Sequence, residues 1–131
     1  MNETVEKDLE NLVEVLRASV PELKQIGVFG SYNNGNWNPP KSDVDIFVLT
    51  NDERYSSLDA ECPTRFIPDN LHRLDLRLKV EKMFPECYRK GFSLSIYSKK
   101  DIQTMLSYSE GGRLLAKNLL NGRLIYSNQS S

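Results

Sequence analysis

The chain is poor in the residues that build covalent staples, metal clusters and membrane spans. It has two cysteines, Cys62 and Cys87, far apart and in no CxxC pair. That excludes a disulfide scaffold and leaves two reduced thiols. His72 is the only histidine, and no motif places a partner beside it, so it is not a candidate for catalysis. No apolar run approaches membrane-spanning length. The opening MNETVEKDLE is acidic and polar rather than a signal peptide, so a cytoplasmic location is expected. The net charge is only -1, which advertises neither a nucleic-acid surface nor a membrane surface.

What is present suits one ordinary domain. A chain of 131 residues can bury a core without disulfides or structural metal. Hydrophobic residues make up 39% and charged residues 27%, a balance typical of soluble domains. There is no internal repeat and no linker, so residues 1–131 read as a single domain.

The hydrophobic pattern gives alternating helices and strands. Residues 3–19 form an amphipathic helix, with Val5, Leu9, Leu12, Val13 and Leu16 at helical spacing. Acidic residues crowd its first turns, which suits the helix dipole, and Pro21 follows its end. Residues 24–29 (KQIGVF) read as a strand broken by Gly30-Ser31. The stretch YNNGNWNPPK is loop-like, and residues 43–49 (DVDIFVL) form a second strand. Residues 50–68 look irregular, with room for a short helical turn. From Asp69 to about Phe84 two readings compete. Leu74, Leu76, Leu78 and Val80 alternate as in a strand, whereas the length and composition favour a helix. FSLSIYS (92–98) alternates as a third strand. Ser98 and Asp101 form a capping-box-like start for a short helix. Residues 112–121 form another helix ended by Gly122, and Arg123–Tyr126 adds an edge strand. The expected class is mixed α+β, a small sheet of three to four strands with helices packed on it.

The chemistry concentrates at the second strand. Asp43 and Asp45 are two positions apart, so both side chains face the same way, about 7 Å apart along the strand. A carboxylate pair is costly unless water solvates it or a cation neutralises it. Magnesium meets that need with hard oxygen ligands, and it favours few carboxylates plus phosphate oxygens. Just upstream, Gly30 after a strand permits close backbone approach to a phosphate. Ser31 offers a hydroxyl and a backbone N–H. If a short helix starts there, its positive end faces the same phosphates.

The segment VFGSYNNGNWNPPKSDVDIFVL resembles the DNA polymerase beta-like nucleotidyltransferase superfamily, in its minimal nucleotidyltransferase branch. FSLSIYSKKDI and LLAKNLLNGRLIYS are similar to that branch's later strand–helix and its closing Gly-x-x-x-Tyr segment. The resemblance spans residues 24–127 and is most specific over 28–48. It implies that Gly30 and Ser31 hold a nucleoside triphosphate, ATP above all. It implies that Asp43 and Asp45 bind magnesium or manganese. It implies transfer of a nucleotidyl group, AMP in the first instance, to a hydroxyl, with a HEPN-type helical protein as a partner and candidate acceptor. A catalytically weak, antitoxin-like binding module is the alternative. A homodimer is compatible with both.

The pattern departs from the family in two places. Active members usually carry a third carboxylate on the next strand, where this chain has Ser93 and Ser95. Asp75 is the alternative third acid if residues 74–80 are that strand, and a solvated helix residue otherwise. The loop after Ser31 has Asn33 and Asn34 where relatives often place an arginine. Lys41 can serve a phosphate or stand solvated. Ser42 caps or orients the loop, and Trp37 covers a base or anchors the loop.

Overall fold

The computed structural model describes residues 2–38, 42–56, 71–83 and 91–128. Lys41, Cys62, Cys87, both prolines of the 50–68 segment and the end of the tail lie outside the described residues.

Helix α1 runs Glu3–Ser19, capped by the Asn2 side chain, which accepts from the Val5 N–H at 3.1 Å. The Asn2 carboxamide satisfies one of the N–H groups that a helix start leaves without an intrahelical partner. Strand β1 (Leu23–Phe29) leads into a five-residue helix α2 (Gly30–Asn34), and β2 follows over Val44–Thr50. A single 3-10 turn covers Glu53–Tyr55, inside the stretch expected to be irregular. Then come α3 (Leu71–Met83), β3 (Phe92–Ser98), α4 (Lys99–Tyr108), α5 (Glu110–Leu120) and β4 (Arg123–Ser127).

The competition over residues 69–84 is decided for a helix. α3 buries Leu76 and Val80, one helical turn apart, and leaves Leu71, Leu74 and Leu78 exposed. The i, i+4 pair faces the core, and the period-2 alternation is incidental. Asp75 therefore stands exposed on a helix and not on the strand beside β2.

The sheet has the order β3-β2-β1-β4. β1 pairs antiparallel with β2 and β4, while β2 and β3 are parallel. Parallel neighbours need a crossover connection, and α3 lies within it. The sheet is mixed and four-stranded, as the sequence leads one to expect, with β4 at one edge.

Helices cover both faces. On one face Val5, Leu9, Leu12 and Leu16 of α1, with Leu76 and Val80 of α3, pack on Ile26, Val28, Val44, Ile46, Val48, Leu94 and Ile96. On the other, Ile102 and Met105 of α4 and Ala116 and Leu119 of α5 pack on Phe47, joined by Phe29, Leu49 and Tyr97. The period-2 alternation of β2 makes this division: Val44, Ile46 and Val48 face α1, whereas Phe47 faces α4 and α5. Asp45 shares the Phe47 face, beyond the last apolar residue. The α4 start is a complete capping box: Asp101 N–H donates to Ser98 Oγ at 3.2 Å and Ser98 N–H to Asp101 Oδ2 at 3.0 Å. Among the described residues, no helix is long and apolar enough to cross a membrane.

Candidate functional site

The site forms where β1 ends, α2 begins and β2 starts. Phe29, the last residue of β1, pairs with Asp45, and Asp45 pairs on its other side with Ser93 of β3. Asp45 thus lies in the middle of the sheet at its end. Asp43 stands just before β2, and its carboxyl group comes within hydrogen-bonding reach of that of Asp45.

Gly30 makes this packing feasible. Its φ is +71°, in the left-handed region that L side chains rarely adopt. A Cβ added there would lie 2.2 Å from Asp45 Oδ2. The Asp45 carboxylate therefore occupies the space that a side chain at position 30 would need. The Gly-Ser turn and the carboxylate strand are in direct contact, not merely adjacent in sequence.

The electrostatics follow from that packing. Burial pushes the Asp45 carboxyl up to about 6, and the neighbouring Asp43 charge and hydrogen bond push the same way. Desolvation and a like charge both disfavour the ionised form. A half-buried carboxylate with a second one beside it suits a hard divalent cation, which would offset the crowded negative charge and add oxygen ligands from a phosphate. The residues present therefore fit magnesium or manganese.

α2 meets the condition set for a helix after the first strand, and it takes Tyr32, Asn33 and Asn34 from the stretch read as loop-like. Its first turn presents N–H groups that lack intrahelical partners, and Ser31 lies within it. Gly35, in the left-handed conformation at φ +80°, ends it. The Asn36 N–H donates to the Ser31 carbonyl at 3.0 Å, closing the turn.

Trp37 serves the loop. Its Nε1 donates to the Ser42 carbonyl at 3.1 Å, and its ring meets that of Tyr32 edge-on at 5.1 Å between centroids. The anchoring role therefore describes Trp37. Ser42 itself orients the loop through its backbone, with its N–H donating to the Asn38 carbonyl at 2.8 Å.

Asp75 is corrected. Among the described residues, no group of three or more histidine, cysteine, aspartate or glutamate side chains is placed to hold a metal, so Asp75 does not join Asp43 and Asp45. It lines a small surface cavity of about 120 Å³ with Ser19, Tyr55, His72, Leu76 and Lys79. The physical reason is α3: its buried side faces the α1 layer, whereas Asp45 faces the α4–α5 layer. The position beside Asp45 on the next strand is Ser93, a neutral hydroxyl.

A family model described as the nucleotidyltransferase domain matches residues 9–108. The chain belongs to this nucleotidyltransferase family. The matched span contains α1 from Leu9 onward, the Gly30–Ser31 turn, the Asp43–Asp45 pair and β3. No curated protein matches the chain in sequence. Among solved structures, a toxin–antitoxin complex with AMP-PNP is similar at a TM-score of 0.55 and 21% identity, over 92% of this chain and 73% of that one. A mutant of the MntA-HpeT toxin–antitoxin, with two aspartates two positions apart changed to glutamate, is similar to the same degree, again over 92% of this chain and 73% of that one. A nucleotidyltransferase candidate from Sulfolobus solfataricus aligns over 95% of this chain and 82% of that one, with a TM-score of 0.53 and 17% identity. At such identities the likeness establishes the fold alone.

Sequence reasoning missed the roles of Glu6 and Arg123. Glu6 accepts from the Tyr32 hydroxyl at 2.6 Å and from both terminal nitrogens of Arg123 at 2.8 and 2.9 Å. The sole signal in sequence was an acid on the buried side of α1, one position after Val5.

Proposed function

We propose that this domain binds a nucleoside triphosphate, ATP first among them, together with magnesium, and transfers its nucleotidyl group to a hydroxyl acceptor. The observation that carries this reading is the contact of the Gly30 turn with Asp45, whose carboxyl the neighbouring Asp43 helps to push up. It sets phosphate donors and a cation-demanding acid pair side by side. The similarity to a toxin–antitoxin complex bound to AMP-PNP supports the same nucleotide class and a protein partner.

In this reading Gly30 and Ser31 bind the triphosphate through backbone N–H groups and the Ser31 hydroxyl. Asp43 and Asp45 hold the cation. Lys41 and Ser42 lie beside that pair in sequence and complete the phosphate-binding segment. A divalent cation held by Asp43 and Asp45 would supply charge neutralisation for the triphosphate and acidify the acceptor hydroxyl. The acceptor oxygen bonds to the α-phosphorus, the bond to the bridging oxygen breaks, and pyrophosphate leaves. The hydroxyl proton passes to solvent or to a base on the acceptor.

A second reading has its own observation. With Ser93 beside Asp45 and no third acid at the pair, the described residues offer no further carboxylate as a base for the acceptor hydroxyl. A binding module that retains nucleotide and docks a helical partner, antitoxin-like, fits that deficit. Incubation with α-labelled triphosphates, magnesium and a candidate partner separates the two. Label transfer that Asp43→Ala or Asp45→Ala abolishes supports the enzyme. Nucleotide binding with no transfer to any acceptor supports the module.

A further inference from the structure

A helix of five residues cannot hold its own shape, since isolated helices are marginal below about 12–15 residues. α2 nevertheless carries the Gly30-Ser31 turn against Asp45, so something outside it must fix it. Tyr32, at its centre, is 5% exposed and packs in the α1-side core. Its hydroxyl donates at 2.6 Å to Glu6, which a two-pronged bond from Arg123 holds in turn. The first helix and the last strand are thereby tied beneath the turn. Burial and the Glu6 charge push the Tyr32 hydroxyl up to about 12, so it remains a donor. Arg123 above all holds Glu6 below the usual carboxylate range, so Glu6 remains an acceptor. From the other side of the ring, Trp37 packs edge-on and bonds the Ser42 carbonyl, one residue before Asp43.

We infer that Tyr32 and Trp37 are positioning residues: anchored on the Glu6–Arg123 pair, they fix the phosphate-binding turn at its working distance from the Asp43–Asp45 pair. Neither ring touches ligand. Tyr32 sets the height of the turn, and Trp37 sets the spacing between turn and carboxylates. This inference rests on the function proposed above.

The test uses Tyr32→Phe, which keeps the ring and removes the hydroxyl bonded to Glu6 at 2.6 Å and to the Asn2 carbonyl at 3.5 Å, and Trp37→Phe, which keeps an aromatic ring and removes the indole N–H bonded to the Ser42 carbonyl. Two affinities are measured by calorimetry: manganese alone, and ATP in the presence of magnesium. A positioning role weakens magnesium–ATP binding by about tenfold, the scale of one hydrogen bond to a charged or strained partner, and leaves manganese affinity within about twofold. Glu6→Ala combined with Tyr32→Phe adds little to either alone, because the two side chains act as a unit. Wild-type-like ATP binding in both variants overturns the inference. So does a parallel fall in manganese binding, ATP binding and melting temperature, which marks general loosening. A wild type that binds no nucleotide overturns the functional reading together with this consequence of it. A wild type that binds while the variants match it overturns only the positioning role.

Discussion

Replacing Gly30 with alanine tests the contact at the heart of the site. Two costs apply. An L-residue in the left-handed region costs about 1–2 kcal/mol. In addition, the new Cβ would lie 2.2 Å from Asp45 Oδ2, and pushing that carboxylate off its rotamer costs about 0.5–1.5 kcal/mol. Gly35→Ala supplies the control. Gly35 has a similar φ, +80°, but nothing lies within 4 Å of its ideal Cβ, so it bears only the backbone cost. Urea denaturation should place Gly30→Ala about 1 kcal/mol below Gly35→Ala. Magnesium–ATP affinity should fall by about tenfold or more in Gly30→Ala, because Asp45 is displaced, and stay near wild type in Gly35→Ala. Equal stabilities together with wild-type nucleotide binding in both variants would refute the contact argument.

Three further outcomes are expected. Asp45, held up to about 6 mainly by burial and then by Asp43, binds its proton more tightly in the folded state than in the unfolded chain. Stability from this group therefore falls as pH rises from 3.8 to about 6 and stays constant above that. Asp45→Asn should be more stable than wild type at pH 8 without metal, with the gap closing below pH 4, as thermal melts across pH will show. Ser93→Asp places a third acid beside Asp45 on the parallel neighbour. It should lower stability without metal and tighten manganese binding on the order of tenfold by adding ligand charge; unchanged affinity would show that position 93 does not face the cation. Phe47→Ala removes the buried centre of the α4–α5 core, beneath the site, and should cost about 3–5 kcal/mol in chemical denaturation.

Much of the fold was legible because hydrophobic period and punctuation agree there. Helix α1, strands β1 to β3, the capped α4 and the edge strand β4 all carry unambiguous spacing, and each stands within a few residues of its expected bounds. Residues 69–84 were ambiguous for a physical reason. Leucines at 74, 76 and 78 satisfy a strand's alternation, but only Leu76 is buried, and tertiary packing against α1 chose the i, i+4 face with Val80. That choice removes Asp75 from the site.

The site was legible in outline, since Gly30-Ser31 and Asp43-x-Asp45 are local patterns. Their direct contact was not, because it depends on how β1 and β2 register, with Phe29 opposite Asp45. Nor was the support beneath the turn. The Glu6–Arg123 pair spans 117 positions of sequence, and no local pattern links them. Trp37 illustrates the same limit: sequence left it between covering a base and anchoring a loop, and a single hydrogen bond to the Ser42 carbonyl decides for the anchor.

The central claim is that the Gly30 turn and the Asp43–Asp45 pair together form one metal–triphosphate site. Calorimetric titration of ATP into the protein, with magnesium and with chelator, tests it most directly. The account requires one-to-one binding that depends on magnesium and disappears in Asp43→Asn with Asp45→Asn, while the variant keeps its fold. Binding of equal strength with chelator, or in the double variant, would contradict it.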